Sequence, residues 1–521
     1  MRNSLTTCFV LLLSLTAVAA CGGDGDSSDG CGNDCSSGGS GGTGGGGDEG
    51  GAGGAGGDGG AGGSGGVGGD GGDGGDGGDG GDGGAGGGET ADILPLIEAI
   101  PGMQVVEEKP SEQPGYRWII LSYEQPADHA DPAGQHFQQT LVLHHRDLTA
   151  PFILGTSGYG ISTSSETLTE PALLLGGNQI YVEHRFFGSS RPDPADWSHL
   201  TIEQSAADFH RIAEALHPIY QAPWISTGVS KGGMTVTYHR RFYPDDVQGT
   251  VAYVAPHSYG ASDPRYVTFV AQRGDADCRE ALLTFQREVL LRRDAMLALM
   301  TEDAEVYGDT YDLLGMEQAF ETAVTEMLFT FWQYYGEPYC PAVPPPTASD
   351  QDVWDAFAFA GVPYTWADLS LAYYEPYYWQ AAVQLGYPGY DESNIADLLQ
   401  YPGLDVAASY VLPGKTPVFD PEAMPDIADW LATEGERMMF VYGGGDPYTA
   451  GAYEIGAAQD SYLFTEPGGT HAARVTSLPG ADQQTAFAAL EAWTGVPVTP
   501  PTAAIRHAAA RWDLHARRAL R

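Results

Sequence analysis

The chain reads as an α/β protein: a largely parallel, helix-covered sheet, interrupted late by a helical cap and preceded by a glycine-rich tether. Three observations carry that reading. Short apolar runs alternate with helical patterns from about residue 150 to 254, the spacing of strand–helix–strand units. Between about 263 and 430 the alternation gives way to helical, aromatic-rich sequence, and strand-like runs resume after Arg437. Residues 22–88 are almost wholly Gly with Ala, Ser and twelve acidic residues, a composition that buries no apolar surface and is expected to be disordered.

In chain order, residues 1–20 carry Arg2, an apolar run from Phe9 through Leu15 and then small residues. This is the form of a signal peptide, too short for a comfortable membrane span. The run ends in Val18-Ala19-Ala20-Cys21, the form of a bacterial lipobox, so cleavage before Cys21 and a lipid on that cysteine are expected. An ordinary secretory peptide is the alternative. Either way the protein is expected to leave the cytoplasm, with its membrane contact made through the N-terminal lipid. Residues 21–88 then form a charge-extended linker. Its Gly-Gly-Asp triplets lack the Pro of collagen and the longer, apolar-bearing period of calcium-binding nonapeptides.

The folded body divides into a first sheet part at 89–262, a cap at 263–430, a second sheet part at 431–500 and a tail at 501–521. From about 103 to 146 the pattern is β, with Trp118-Ile119-Ile120-Leu121 and Thr140-Leu141-Val142-Leu143 set between Pro, Asp and Gly signals. Strands are expected at 151–155, 179–182, 224–227 and 250–254, with helices at 202–216 and 234–243 between them. The cap shows helical runs at 282–300 and 317–335. Strands return at 438–442 and 462–464. The tail bears Arg and His and is helix-prone; it either docks on the acidic body or frays.

The body holds 57 Asp and Glu against 23 Lys and Arg, which argues against nucleic acid as a partner. It suits amine-bearing substrates or simple solubility. Of six cysteines, Cys8 leaves with the leader, Cys21 takes lipid, and Cys31 and Cys35 lie in the linker. Cys278 and Cys340 remain in the body and are expected to pair in an oxidising compartment. Two thiols without a His cluster make no zinc site, and neither metal nor cofactor is expected.

Residues 228–232 read Gly-Val-Ser-Lys-Gly, between the strand-like 224–227 and a helix-like run. A serine on a tight strand-to-helix turn is the nucleophile elbow of an α/β-hydrolase sheet, and it points to acyl transfer by Ser230. A serine hydroxyl needs a base, and the base needs an acid to orient it. In this fold they follow in the order acid, then histidine, on loops after late strands. Asp446, in Gly443-Gly444-Gly445-Asp446-Pro447, and His471, in Pro467-Gly468-Gly469-Thr470-His471, each stand just past an apolar run in that order. His144 and His145 precede the elbow, His184 lies within Glu183-His184-Arg185, and His257 follows its strand too soon. For the oxyanion, the backbone N–H of Lys231 is one donor, and the loop Gly155-Thr156-Ser157-Gly158-Tyr159-Gly160 offers Gly158 or Tyr159 as the other. That loop lacks the Gly-Lys-Ser/Thr ending of a phosphate cradle.

These residues resemble the S37 serine peptidases, the secreted prolyl tri/tetrapeptidyl aminopeptidases of bacteria, and more distantly the S28 lysosomal carboxypeptidase group. The likeness runs through Glu124-Gln125-Pro126-Ala127-Asp128-His129, Glu183-His184-Arg185-Phe186-Phe187-Gly188 and Gly228-Val229-Ser230-Lys231-Gly232-Gly233-Met234, and on to Gly445-Asp446-Pro447 and His471. It implies an α/β-hydrolase sheet with a helical cap, release of short peptides from free N-termini, and Ser230, Asp446 and His471 as the triad. The chain departs from the S28-like pattern at Gln384, where a Glu stands, so cap-based specificity does not carry across. A secreted esterase using the same triad is the alternative activity, and a tethered binding protein the non-enzymatic one.

An exopeptidase needs a carboxylate for the substrate ammonium. Glu375 in the cap and Glu183 are the candidates, with Glu183 read alternatively as a brace for Arg185 and the sheet edge. The aromatic cluster Tyr373-Tyr374 and Tyr377-Tyr378-Trp379 is read as cap packing, with a proline-lining wall as the alternative.

Overall fold

The computed structural model describes residues 92–500. The leader 1–20, Cys21, the linker 21–88 and the tail 501–521 lie outside the described residues.

Nine strands form one sheet in the order β1-β2-β3-β5-β4-β6-β7-β8-β9. Strands β1 (Met103–Lys109), β2 (Arg117–Pro126) and β3 (His136–His145) make an antiparallel meander. Strand β3 pairs antiparallel with β5 (Asn178–Val182). From there β4 (Phe152–Thr156), β6 (Trp224–Val229), β7 (Gly249–Tyr253), β8 (Met438–Gly443) and β9 (Tyr462–Glu466) run parallel. Every residue of β4, β5, β7 and β8 is buried, as strands covered on both faces require. Edge strand β1 is mostly exposed or half-buried. This order, with the elbow after β6, is the α/β-hydrolase sheet extended by the N-terminal meander.

Short helices α1 (Ile93–Glu98) and α2 (Glu170–Leu175) flank the meander and β4. Helix α3 (Ile202–Leu216) begins where the Thr201 hydroxyl accepts the Gln204 N–H. It buries Ile202, Ala206, Phe209, Ile212 and Leu216, an i, i+3, i+4 stripe against the sheet. Gln384 closes the same helix start from the cap: its Oε1 accepts the Ile202 N–H at 2.9 Å. Helix α4 (Lys231–Phe242) follows the elbow and is buried along almost its whole length.

Between β7 and β8 come α5 (Pro264–Ala271), α6 (Ala276–Leu291), α7 (Arg293–Tyr307), α8 (Met316–Tyr334), α9 (Asp350–Ala360) and α10 (Asp368–Gln380). They surround a core of their own that includes Phe285, Met296, Phe320, Met327, Trp354, Phe357 and Trp366. The helix expected over 282–300 is in fact two. The chain leaves helical geometry at Arg292 (φ −102°, ψ 24°), whose guanidinium bonds Glu288, the Ala348 carbonyl and Asp350. Periodicity alone did not register that turn, because both arms keep an apolar face. Cys278 and Cys340 are disulfide-bonded, joining the start of α6 to the segment after α8. Helix α11 (Ala423–Glu434) leads back to β8, and α12 (Gly480–Thr494) packs its Trp493 beneath Gly249.

Candidate active site

The elbow is built by close approach. Ser230 takes φ 56° and ψ −123°, a left-handed conformation that side-chain-bearing residues rarely adopt. Its N–H is held by the Tyr253 carbonyl at 2.8 Å. The turn requires glycine on both sides: a Cβ on Gly228 would sit 2.2 Å from the Gly232 carbonyl, and one on Gly232 would sit 2.3 Å from the Thr156 carbonyl oxygen. Ser230 itself is half-exposed, at the carboxyl edge of the parallel strands, where α/β sheets bind their ligands.

Asp446 and His471 meet across the loops after β8 and β9. The His471 Nδ1–H donates to Asp446 Oδ2 at 2.7 Å, and both side chains are buried. The loops interlock through the backbone: Gly444 donates to the Glu466 carbonyl at 2.8 Å and Gly445 to the Gly469 carbonyl at 2.7 Å. Asp446 also accepts the Tyr448 N–H with its other oxygen at 3.1 Å. Two bonds on two oxygens fix the carboxylate, and the carboxylate fixes the imidazole tautomer, leaving Nε2 as the acceptor. The rings of Tyr448 and Tyr334 stand 5.1 Å and 6.0 Å from the imidazole, and the His471 N–H is held by the Gln333 carbonyl near the end of α8. The cap thus touches the His471 loop directly.

The early loop departs from expectation. The Gly158 N–H is committed to the Thr156 hydroxyl at 2.9 Å, and the Tyr159 N–H to the Ser157 hydroxyl at 3.1 Å. Both proposed oxyanion donors on this loop therefore have local partners in the ligand-free fold, because Thr156 and Ser157 each close a two-residue turn on the loop. The Lys231 N–H lies at the first position of α4, where no helical acceptor exists. The Lys231 side chain is a feature the sequence reading did not foresee. Buried among Tyr159 and Phe187, its ammonium donates to the Gly158 carbonyl at 2.7 Å and so ties the early loop to the elbow. Burial holds its pKa well below the ordinary lysine range.

Neither candidate for the substrate amine stands open. Glu375 is buried and accepts both the Lys415 ammonium and the Leu412 N–H. Glu183 accepts the Ser190 hydroxyl at 2.6 Å and N–H at 3.2 Å, and the Ile161 N–H at 3.3 Å; burial raises its pKa. It does not brace Arg185 either. That guanidinium forks onto Asp208, both bonds at 2.7 Å, because α3 brings Asp208 to it while Glu183 turns toward the 188–190 turn. The aromatic cluster divides. Tyr378 packs with Trp366 and Tyr410 in the cap core, whereas Tyr374 and Tyr377 stand edge-on to Tyr159, 5.6 Å and 5.8 Å away. Among the described residues, no group of three or more His, Cys, Asp or Glu is placed to hold a metal ion.

Residues 88–517 match the family described as PS-10 peptidase S37. A prolyl tri/tetrapeptidyl aminopeptidase of Streptomyces mobaraensis is 40% identical over 415 residues, covering 78% of this chain and 86% of that protein. Among solved structures, a proline iminopeptidase of Mycobacterium smegmatis aligns with 72% of this chain and 98% of its own, at 16% identity and a TM-score of 0.33. The peroxisomal α/β-hydrolase Lpx1 of Saccharomyces cerevisiae aligns with 78% and 99%, at 9% identity and a TM-score of 0.31.

Proposed function

The chain belongs to the PS-10 peptidase S37 family and is a serine peptidase of the α/β-hydrolase fold, and on that footing we propose that it releases short peptides, tripeptides with a preference for proline at the cleaved bond, from free N-termini of oligopeptides. The observation that carries the reading is the Asp446–His471 bond at the carboxyl edge of a sheet whose elbow presents a half-exposed Ser230. In the reaction, His471 Nε2 takes the Ser230 hydroxyl proton as Oγ attacks the scissile carbonyl. The Lys231 N–H donates to the oxyanion. His471 then protonates the leaving amine, which departs, and a water activated by the same imidazole hydrolyses the acyl-enzyme. Asp446 keeps the imidazole in the required tautomer and stabilises its charged form.

Paired assays test the reading. Tripeptidyl p-nitroanilides with free N-termini are expected to be cleaved, with short acyl esters as the comparison. Turnover of the esters without any turnover of the anilides overturns the peptidase reading in favour of an acyl hydrolase.

Export and anchoring are part of the same proposal. The apolar run before Cys21 and the acidic linker after it suit a lipid-anchored enzyme held away from its membrane. Partition of the wild type into a detergent phase, lost on Cys21→Ser, is the expected result; partition unchanged by the substitution contradicts it.

A further inference from the structure

The loop after β4 is held peptide by peptide. The Gly158 N–H bonds the Thr156 hydroxyl at 2.9 Å, and that hydroxyl donates on to the Val182 carbonyl at 2.9 Å, both bonds buried. The Tyr159 carbonyl accepts the His184 N–H at 3.0 Å. Between these two stands the peptide that joins Gly158 to Tyr159. Its carbonyl accepts the Lys231 ammonium at 2.7 Å, and its N–H donates to the Ser157 hydroxyl at 3.1 Å. Lys231 is buried, with the rings of Tyr159 and Phe187 centred 5.6 Å and 5.7 Å from its nitrogen.

Two physical facts give this peptide a role. A trans peptide is planar, with its C=O and N–H pointing opposite ways, so whatever fixes the carbonyl fixes the line of the N–H. A charged donor on the carbonyl also polarises the unit and strengthens its N–H as a donor. The loop lies directly on the elbow. Gly158 takes φ 77°, and a Cβ there would sit 2.7 Å from both the Lys231 carbonyl carbon and the Gly232 nitrogen. Lys231 therefore meets the loop twice, with its backbone against Gly158 and with its side chain on the Gly158 carbonyl. The Gly158 N–H is spent within a buried chain of bonds. The Tyr159 N–H rests on a half-buried serine hydroxyl, which donates to the Gly160 carbonyl at 3.1 Å and which a turn about χ1 removes.

We propose that the Lys231 side chain is a positioning residue for the oxyanion hole: through the Gly158 carbonyl it aims the Tyr159 N–H, which joins the Lys231 N–H on the tetrahedral oxyanion. This rests on the serine-peptidase mechanism above. The Ser157 hydroxyl holds the Tyr159 N–H in the ligand-free enzyme and releases it as the oxyanion forms, while the ammonium keeps the peptide plane from turning. Burying an ammonium is costly, and a neutral donor would satisfy one carbonyl. Beside the nucleophile the charge gains a purpose, because it acts on a donor that meets developing negative charge.

The experiment sets Lys231→Met, which keeps most of the side-chain length and loses the donor, against two inhibitors. The aldehyde Ala-Ala-prolinal forms a hemiacetal with Ser230 whose oxygen takes the place of the oxyanion; the product Ala-Ala-Pro forms none. Inhibition constants do not depend on the fraction of folded protein. Lys231→Met is expected to weaken the aldehyde by about 10- to 100-fold and the product by less than about 3-fold. It is expected to lower kcat for Ala-Ala-Pro-p-nitroanilide by the same factor as the aldehyde, with KM little changed. Lys231→Gln, a neutral donor of shorter reach, is expected to fall between wild type and Lys231→Met, and it carries the comparison alone if the methionine variant does not fold. Equal effects on both inhibitors, or none on either, overturn the proposal and leave Lys231 a structural tie. If the wild type turns over short acyl esters and no anilide, the peptide reading has fallen instead, and the split between kcat and KM on the ester decides the role of Lys231.

Discussion

Asp208 and Asp405 are both aspartates with buried carboxyl oxygens, and the protein treats them in opposite ways. Asp208, on the sheet side, is gripped by the Arg185 fork and by His129, and these partners hold its pKa below the ordinary value against the effect of burial. Asp405, in the cap, meets Glu326 instead, and its pKa is driven up. A carboxylate matched by a cation within the fold is a structural joint. One that accepts a tyrosine hydroxyl and lies beside another acid is instead pushed toward its neutral form.

The largest effect sought is catalytic. Ser230→Ala is expected to lower peptide turnover by at least about 10⁴-fold, and Asp446→Asn by about 10⁴-fold, with the unfolding midpoint little changed. Appreciable turnover by Ser230→Ala would place the nucleophile elsewhere. Next comes the joint. Arg185→Met leaves Asp208 charged and buried and is expected to cost about 3–5 kcal/mol in urea unfolding. An unfolding free energy unchanged by the substitution would contradict the joint.

Cys278→Ser, which opens a cross-link 62 residues apart in sequence, is expected to cost about 2–4 kcal/mol, read as a lower thermal midpoint that reductant does not lower further. The smallest effect distinguishes the two aspartates by pH. Asp208, with its lowered pKa, contributes stability that is present above the unfolded carboxylate pKa and lost as pH falls through the folded value. Asp405, with its raised pKa, does the reverse: the fold gains stability as pH falls through its folded value toward the unfolded one. Asp405→Asn is therefore expected to raise the midpoint near neutral pH and to lose that advantage in acid, and Asp208→Asn to lower the midpoint near neutral pH. Equal slopes for the two variants would erase the distinction.

Much of the sheet was legible because its parallel strands are short, largely apolar and separated by loops, and the elbow because a serine between two crowded glycines announces a turn. Asp446 and His471 were legible by order and by the apolar runs before them. The cap was harder. The Arg292 break hid within a continuous apolar periodicity, Glu183 and Glu375 looked available because their partners lie far away in sequence, and Lys231 was read for its backbone alone.

By itself, then, the order of residues determined the class of fold, the disulfide partners and the chemistry of the elbow, all of which depend on local pattern or on a fixed succession along the chain. Only the tertiary structure decided which group each buried acid meets. Compensation of charge depends on residues such as Arg185 with Asp208, or Glu375 with Lys415, that are distant in sequence and become neighbours only when the chain folds.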